Sequence, residues 1–271
     1  MSFNPKKQLS QFLAEDIGKG DITSQLLSKK KITVKIISRE NAIIAGTKYA
    51  KEIFAIKGCK AKIITKDGTK IKPNQDVIEI TGNADKILTC ERTALNILTR
   101  MSGIATQTNE LVKKIPKRTK LYATRKTAPG LRYFDKEAVK IGGGERHRLR
   151  LDEMVMIKDN HIAVEQSLSS LINKTKKKYN KFEVEVENTD DAVLAAEKGA
   201  TIIMLDNFSP SQITRTIKVL KNKKLRNKVL LEASGGINSK NISKYGKTDV
   251  DIISIGSITN SVKGIDFSLE I

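Results

Sequence analysis

Apolar positions recur along this chain in two rhythms, and the change falls near residue 112. Before it, the spacing predicts an amphipathic helix over Leu9 to Ile17, then a turn at Gly18 to Asp21. Alternating runs at Ile32–Ser38, Ala61–Thr65 and Val77–Ile80 predict strands, with a helix between the first two at Lys48–Ile56. Asn83 is the expected N-cap of a long helix beginning near Ala84. On that helix Leu88, Leu95 and Leu98 form an apolar stripe, and Arg92 lies off it, facing outward.

After residue 112 the rhythm becomes strand, loop, helix, repeated. Six short apolar runs predict strands at Leu121–Thr124, Met154–Lys158, Phe182–Glu187, Thr201–Leu205, Val229–Ala233 and Asp251–Ile255. Helical patterns intervene, one of them capped by Thr189 and stopped by Gly199. Such alternation predicts a parallel sheet buried on both faces. The class is therefore α/β, and six units favour an incomplete barrel over an open doubly wound sheet. The pattern divides the chain into residues 1–112 and 113–271; the last segment is expected to return to the first domain. Every strand run ends in polar or small residues, and in a barrel such ends converge on one face.

Composition narrows the core and the partners. Aromatic residues are 4% and Trp is absent, so Ile, Leu, Val and Ala must fill the interior. Cys59 and Cys90 fit no metal spacing and no disulfide framework, and are expected as buried thiols. No apolar run is long enough for a bilayer and the start lacks a secretory stretch, so a cytoplasmic protein is expected. A formal charge of +20 raises the alternative of nucleic-acid binding. Much of the excess, however, sits at Leu171–Lys181 and Thr214–Lys228, which read as solvated helix faces without aromatic interleaving.

The middle of the chain is different. Between Thr124 and His161 lie Arg125, Lys126, Arg132, Arg146, His147, Arg148, Arg150 and Lys158, around the triple glycine Gly142–Gly144. Arginine forks fit carboxylates and phosphates, and glycines admit a close backbone approach. This combination suits a small polyanion. Ser234, Gly235 and Gly236 read as a glycine turn opening a helix, and with Gly256 they form an expected phosphate cradle. Glu185 and Glu187 share a strand face and need partners. Those partners are either Lys and Arg, or Mg²⁺ and ribose hydroxyls, with Asp206 nearby. His147 is expected to donate to a carboxylate. His161 could orient Lys158 from a helix start. No covalent nucleophile is evident, which points to catalysis by positioning and electrostatics.

ERTALN at Glu91, TRKTAPGLR at Thr124, GGGERHR at Gly142, IKDNH at Ile157, EVEVEN at Glu183, LDNF at Leu205, EASGGI at Glu232 and ISIGSIT at Ile253 occur in order. With EDIGKGDITS at Glu15, they make the chain closely resemble the quinolinate phosphoribosyltransferase family. The resemblance implies an N-terminal open-faced α/β sandwich domain plus an incomplete six-stranded α/β barrel. It implies a homodimer with shared active sites and leaves further assembly into hexamers open. The implied reaction joins quinolinate to phosphoribosyl pyrophosphate with Mg²⁺, releasing CO₂ and pyrophosphate and forming nicotinate mononucleotide for NAD biosynthesis. By motif, Arg92 would come from the neighbouring subunit. Arg125, Lys126, His147, Arg148 and Lys158 would hold quinolinate, with both lysines also reaching the phosphoribosyl group. Glu185 and Asp206 would bind ribose or Mg²⁺, and Lys126, Lys158, Glu185 and Asp206 would be the catalytic set. Ser234, Gly235, Gly236 and Gly256 would take the 5′-phosphate. Asn260 and Arg150 depart from the commoner family pattern and bear on substrate preference. A relative acting on nicotinate is the nearest alternative, but so many cations favour a dicarboxylate.

Overall fold

A computed structural model of the protein describes residues 3–271. In chain order the elements begin α1 (Pro5–Ile17), β1 (Lys31–Ser38), β2 (Ala42–Ile43), α2 (Thr47–Ile56), β3 (Lys60–Ile63), β4 (Lys70–Ile71), β5 (Asp76–Asn83) and α3 (Ala84–Val112). They continue β6 (Lys120–Ala123), α4 (Arg132–Ile141), β7 (Val155–Ile157), α5 (Asp159–Glu165), α6 (Leu168–Lys176), β8 (Phe182–Val186), α7 (Thr189–Glu197) and β9 (Ile202–Asp206). Last come α8 (Pro210–Asn222), β10 (Leu230–Ser234), α9 (Ile242–Gly246), β11 (Ile252–Ile255), α10 (Ser257–Asn260) and β12 (Phe267–Glu270).

The chain forms two compact units. The first takes the residues up to Asn109 together with Ala128–Gly143 and Ser261–Ile271. Its antiparallel sheet has the order β12-β1-β5-β3. On β1, Val34, Ile36 and Ser38 are buried while Lys31, Thr33 and Lys35 are exposed, which is the pattern of a sheet covered on one face. Helix α2 packs on β3 and β5. The buried stripe of α3 runs through Ile87, Cys90, Ala94 and Leu98, Leu88 is only half-buried, and Arg92 is exposed.

Pattern alone placed residues 128–143 with the barrel, whereas here they pack in the first unit. The cause is α4. It buries Phe134, Ala138 and Val139 and sinks Asp135 beneath Arg100, whose Nε and Nη2 donate to the two carboxylate oxygens at 2.7 and 2.9 Å. Gly142, at the end of α4, lies so close to α3 that a Cβ would stand 2.5 Å from the Ala105 carbonyl oxygen. That glycine serves helix packing and is absent from the pocket lining described below.

The second unit comprises Glu110–Thr127 and Gly144–Asn260. Its six strands are parallel in the order β6-β11-β10-β9-β8-β7, and β6 and β7 are not paired with each other among the described residues. From β7 to β11 each crossover carries the chain to the adjacent strand, and β11 pairs with β6, giving the incomplete α/β barrel. Ile203, Leu205, Leu231, Ala233, Ile253 and Ile255 bury one parity of the central strands. The other parity includes Glu183, Glu185, Met204, Asp206, Glu232, Ser234 and Ser254, and forms the interior. Asn188, rather than Thr189, caps α7, because its side chain accepts from the Asp191 amide at 2.8 Å. The lysines of α6 and α8 lie on solvated faces, with Lys221 paired to Asp249 at 3.5 Å and, just after α8, Lys223 to Glu197 at 3.0 Å. No described helix is long and apolar enough to cross a membrane.

Candidate active site

The carboxyl ends of the parallel strands surround a cavity of about 370 Å³, within the range of small-molecule sites. The β6 end supplies Thr124, Arg125 and Lys126, the loop between α4 and β7 supplies His147 and Arg148, and Lys158 directly follows β7. The opposite wall is Glu185, Asp206, Glu232 and Ser234. Eight expected site residues thus meet at the carboxyl ends of the parallel strands.

Backbone contacts aim the cations. The Lys126 amide donates to Thr124 Oγ1 at 3.1 Å, and Thr259 Oγ1 donates to the Lys126 carbonyl at 2.8 Å. Gly256 leaves room for the Lys126 stem, since a Cβ there would meet Lys126 Cδ at 3.0 Å. Arg148 donates from Nη1 to the Met154 carbonyl at 3.1 Å, with Nη2 3.1 Å from Met156 Sδ. Burial lowers the Arg148 pKa and the Arg125 charge adds to that, while Glu183 and Glu185 oppose it. The buried Arg125 Nε has no hydrogen-bond partner among the described residues. An anion entering here would relieve both groups. His161 accepts the Lys158 amide through Nδ1 at 2.9 Å, so it fixes the start of α5 and lies outside the cavity lining.

Lys158 Nζ forms an ion pair with Glu185 Oε2. A residue expected to reach both substrates is therefore joined to one expected at the ribose. Glu187 takes no part: it is exposed beyond the end of β8. The strand parity that would have coupled it to Glu185 instead points Glu183 inward, one step deeper.

Glu183 and Glu232 went unmarked among the expected site residues; Glu232 lines the cavity floor, and Glu183 is buried against His147. His147 adopts φ +52°, places its ring 5.4 Å from that of Tyr122, and sets Nε2 3.1 Å from Glu183 Oε2 and 3.9 Å from Glu232 Oε2. His147 Nε2 thus faces carboxyls of the protein's own, while the residue also lines the cavity. Neither Glu232 oxygen, nor Glu183 Oε1, has a hydrogen-bond partner among the described residues. Burial pushes Glu183 up to about 7 against the pull of Arg148 and Lys158. Burial and the Glu183 charge push Glu232 up to about 8, outweighing His147. The signal in the sequence was a glutamate inside each of two apolar strands, at even spacing from Glu185 and Ser234.

The glycine turn differs from its expected form. Gly235 and Gly236 take φ +89° and +61°, but the helix after them begins only at Ile242. Ser234 to Gly236 therefore offer a turn, with no helix start. Gly256 directly precedes α10. Asn207, at φ +57°, donates from Nδ2 to Asp206 Oδ2 at 2.7 Å, and its amide donates to the Ser234 carbonyl at 2.9 Å. Arg92 lies on α3 in the first unit and is not among the cavity residues. Arg150 pairs with Asp152 at 3.0 Å in the exposed loop before β7.

Comparison with known proteins agrees with this arrangement. Residues 21–102 match the N-terminal domain of quinolinate phosphoribosyl transferase, and residues 104–270 match its C-terminal domain. The chain is 41% identical over 274 residues to a probable nicotinate-nucleotide pyrophosphorylase (carboxylating) of Methanothermobacter thermautotrophicus, covering 97% of each protein. It is 42% identical over 275 residues to the protein of the same name from Methanocaldococcus jannaschii, covering 98% of this chain and 96% of that one. The structure of the nicotinate-nucleotide pyrophosphorylase from Francisella tularensis superposes with a TM-score of 0.91 at 40% identity, over 98% of this chain and 95% of that one. Motifs in register, both domains, and a cationic pocket at the strand ends converge: the chain belongs to the quinolinate phosphoribosyltransferase family.

Proposed function

We propose that this protein transfers the phosphoribosyl group of phosphoribosyl pyrophosphate to quinolinate and decarboxylates it, forming nicotinate mononucleotide, pyrophosphate and CO₂. One observation carries the reading: the half-buried guanidinium groups of Arg125 and Arg148, with Lys126 and Lys158, meet in one cavity. A charge held away from water without its counterion costs several kcal/mol, so the cavity is suited to a dianion. Arg125, His147 and Arg148 hold the two ring carboxylates. Lys158 is drawn from Glu185 toward substrate, which leaves Glu185 to face the ribose as positive charge develops there. Ser234, Gly235, Gly236 and Gly256 receive the 5′-phosphate through backbone groups.

Mg²⁺ fits this site through Asp206. Only one Asp206 oxygen is taken up by the Asn207 amide among the described residues, whereas Glu185 is already held by Lys158. Mg²⁺ prefers one or two carboxylates with substrate phosphates and water, and would supply charge neutralisation on the departing pyrophosphate. Arg92, exposed on α3, is the residue a second subunit would donate, so the working unit is a homodimer.

The test is turnover of quinolinate and of nicotinate, side by side, with CO₂ release followed. Quinolinate should be consumed with stoichiometric CO₂, nicotinate should be a poor substrate, and phthalate should compete with quinolinate. Efficient use of nicotinate without CO₂ would refute the assignment.

A further inference from the structure

The floor of the pocket holds more acid than binding an anion requires. Glu183 and Glu232 are fully buried beneath a ring of cations, and the ligand atoms of His147, Glu183 and Glu232 lie within 4.8 Å of one another. Such a trio could hold a metal ion by spacing alone. Its surroundings argue otherwise, because Arg148 and Lys158 both act electrostatically on Glu183 and would repel a further cation. Protons are the small cations this cluster can accept.

The reaction proposed above needs one. When CO₂ leaves, the ring carbon keeps the electron pair of the broken carbon–carbon bond and must form a C–H bond. Arginine does not give up its proton in proteins, and an ammonium is a weaker acid than an imidazolium. His147 lines the cavity and its Nε2 faces two buried carboxyls. We propose that His147 is the catalytic acid that protonates the ring carbon vacated by CO₂, and that the buried Glu232 carboxyl recharges it. This rests on the decarboxylating reading of the site.

The step balances. One N–H bond of the imidazolium breaks as the C–H bond forms, the Glu232 carboxyl returns a proton to the ring on its Nε2 side, and a proton from solvent restores Glu232 once product has left. Geometry supports Glu232 as the store: its side chain is 1% exposed, it lines the cavity, and its Oε2 lies 3.9 Å from His147 Nε2. The groups that act on it are Tyr122 on β6, His147 in the loop, Lys158 just after β7 and Glu183 on β8, with the Ser254 hydroxyl on β11. Its neighbour on β9 is Met204, which cannot titrate. With burial dominant, Glu232 keeps its proton up to about pH 8.

Glu232→Gln and His147→Gln in the full-length protein test this by single-turnover CO₂ release across pH. General acid catalysis contributes about 10²–10⁴-fold, so each variant should slow release by about 10²-fold or more while phosphoribosyl pyrophosphate affinity stays near that of the wild type. Wild-type release should decline above about pH 8, and Glu232→Gln should lack that limb. A folded Glu232→Gln that retains the limb and the rate overturns the proposal, as does a divalent metal that copurifies with the wild type and is lost from this variant. Should Glu232→Gln fail to fold, His147→Gln decides: unchanged CO₂ release overturns the proposal. Absence of CO₂ release by the wild type would instead refute the proposed reaction.

Discussion

The Asn207 side-chain oxygen stands 2.2 Å from where a Cβ on residue 235 would be. Asn207 also holds Asp206, and Gly235 belongs to the turn after β10, so two parts of the proposed phosphoribosyl site are fitted against each other. Gly235→Ala must displace Asn207 and force alanine into φ +89°. Overpacking of this kind costs about 1–3 kcal/mol. The expected result is a higher KM for phosphoribosyl pyrophosphate with quinolinate binding preserved, measured by steady-state kinetics and calorimetry. An unchanged KM would mean that the turn does not touch the phosphate.

Arg148→Lys should not behave as a conservative change. The arginine spreads its donors over the Met154 carbonyl and the Met156 sulfur while presenting its charge to the cavity. A lysine point charge cannot do all of this. Quinolinate affinity should fall by about 1–3 kcal/mol, the range for a charge-assisted hydrogen bond. Calorimetric titration with quinolinate or phthalate checks it.

Stability should depend on pH through the floor carboxyls. Folding raises Glu232 from its ordinary 4.5 to about 8, so between those values the folded chain binds more protons than the unfolded one. Unfolding free energy therefore falls as pH rises through that window. Glu232→Gln removes this share, and its Tm should vary less with pH than that of the wild type. Parallel curves for the two proteins would show that Glu232 does not titrate as described.

Mixing Arg92→Ala chains with Lys158→Ala chains tests shared sites. In a two-fold dimer each mixed pair regains one intact site, so a 1:1 exchange should restore about a quarter of wild-type activity. Verified exchange without recovery would leave Arg92 without a role in the neighbour's pocket.

Much of this was legible in the chain because parallel strands write themselves as short apolar runs. All six barrel strands lie within a residue or two of their expected limits, and the polar residues at their ends do meet. Helix α4 was hidden inside a stretch whose charges drew the eye to binding, although Phe134 and Ala138 carry a helical spacing. The last segment was expected to return to the first domain, but no local pattern could announce that it forms a four-residue strand, β12, paired with β1 more than two hundred residues away. The floor escaped for a different reason. Two glutamates on one strand can face either way until the register is known, and only the fold turned Glu183 inward and Glu187 to water.

The pairing of β12 with β1 also sets a schedule. β12 leaves the ribosome after every strand of the barrel, yet it forms the outer edge of the first unit's sheet, beside β1. At about 5–20 residues per second, β1 waits tens of seconds for that partner. During this interval its edge offers unpaired backbone groups to any other nascent chain. Its exposed face carries Lys31 and Lys35, charges of the kind that discourage edge-to-edge pairing. A strand that is finished last thus makes the first unit the part of the molecule most dependent on orderly synthesis.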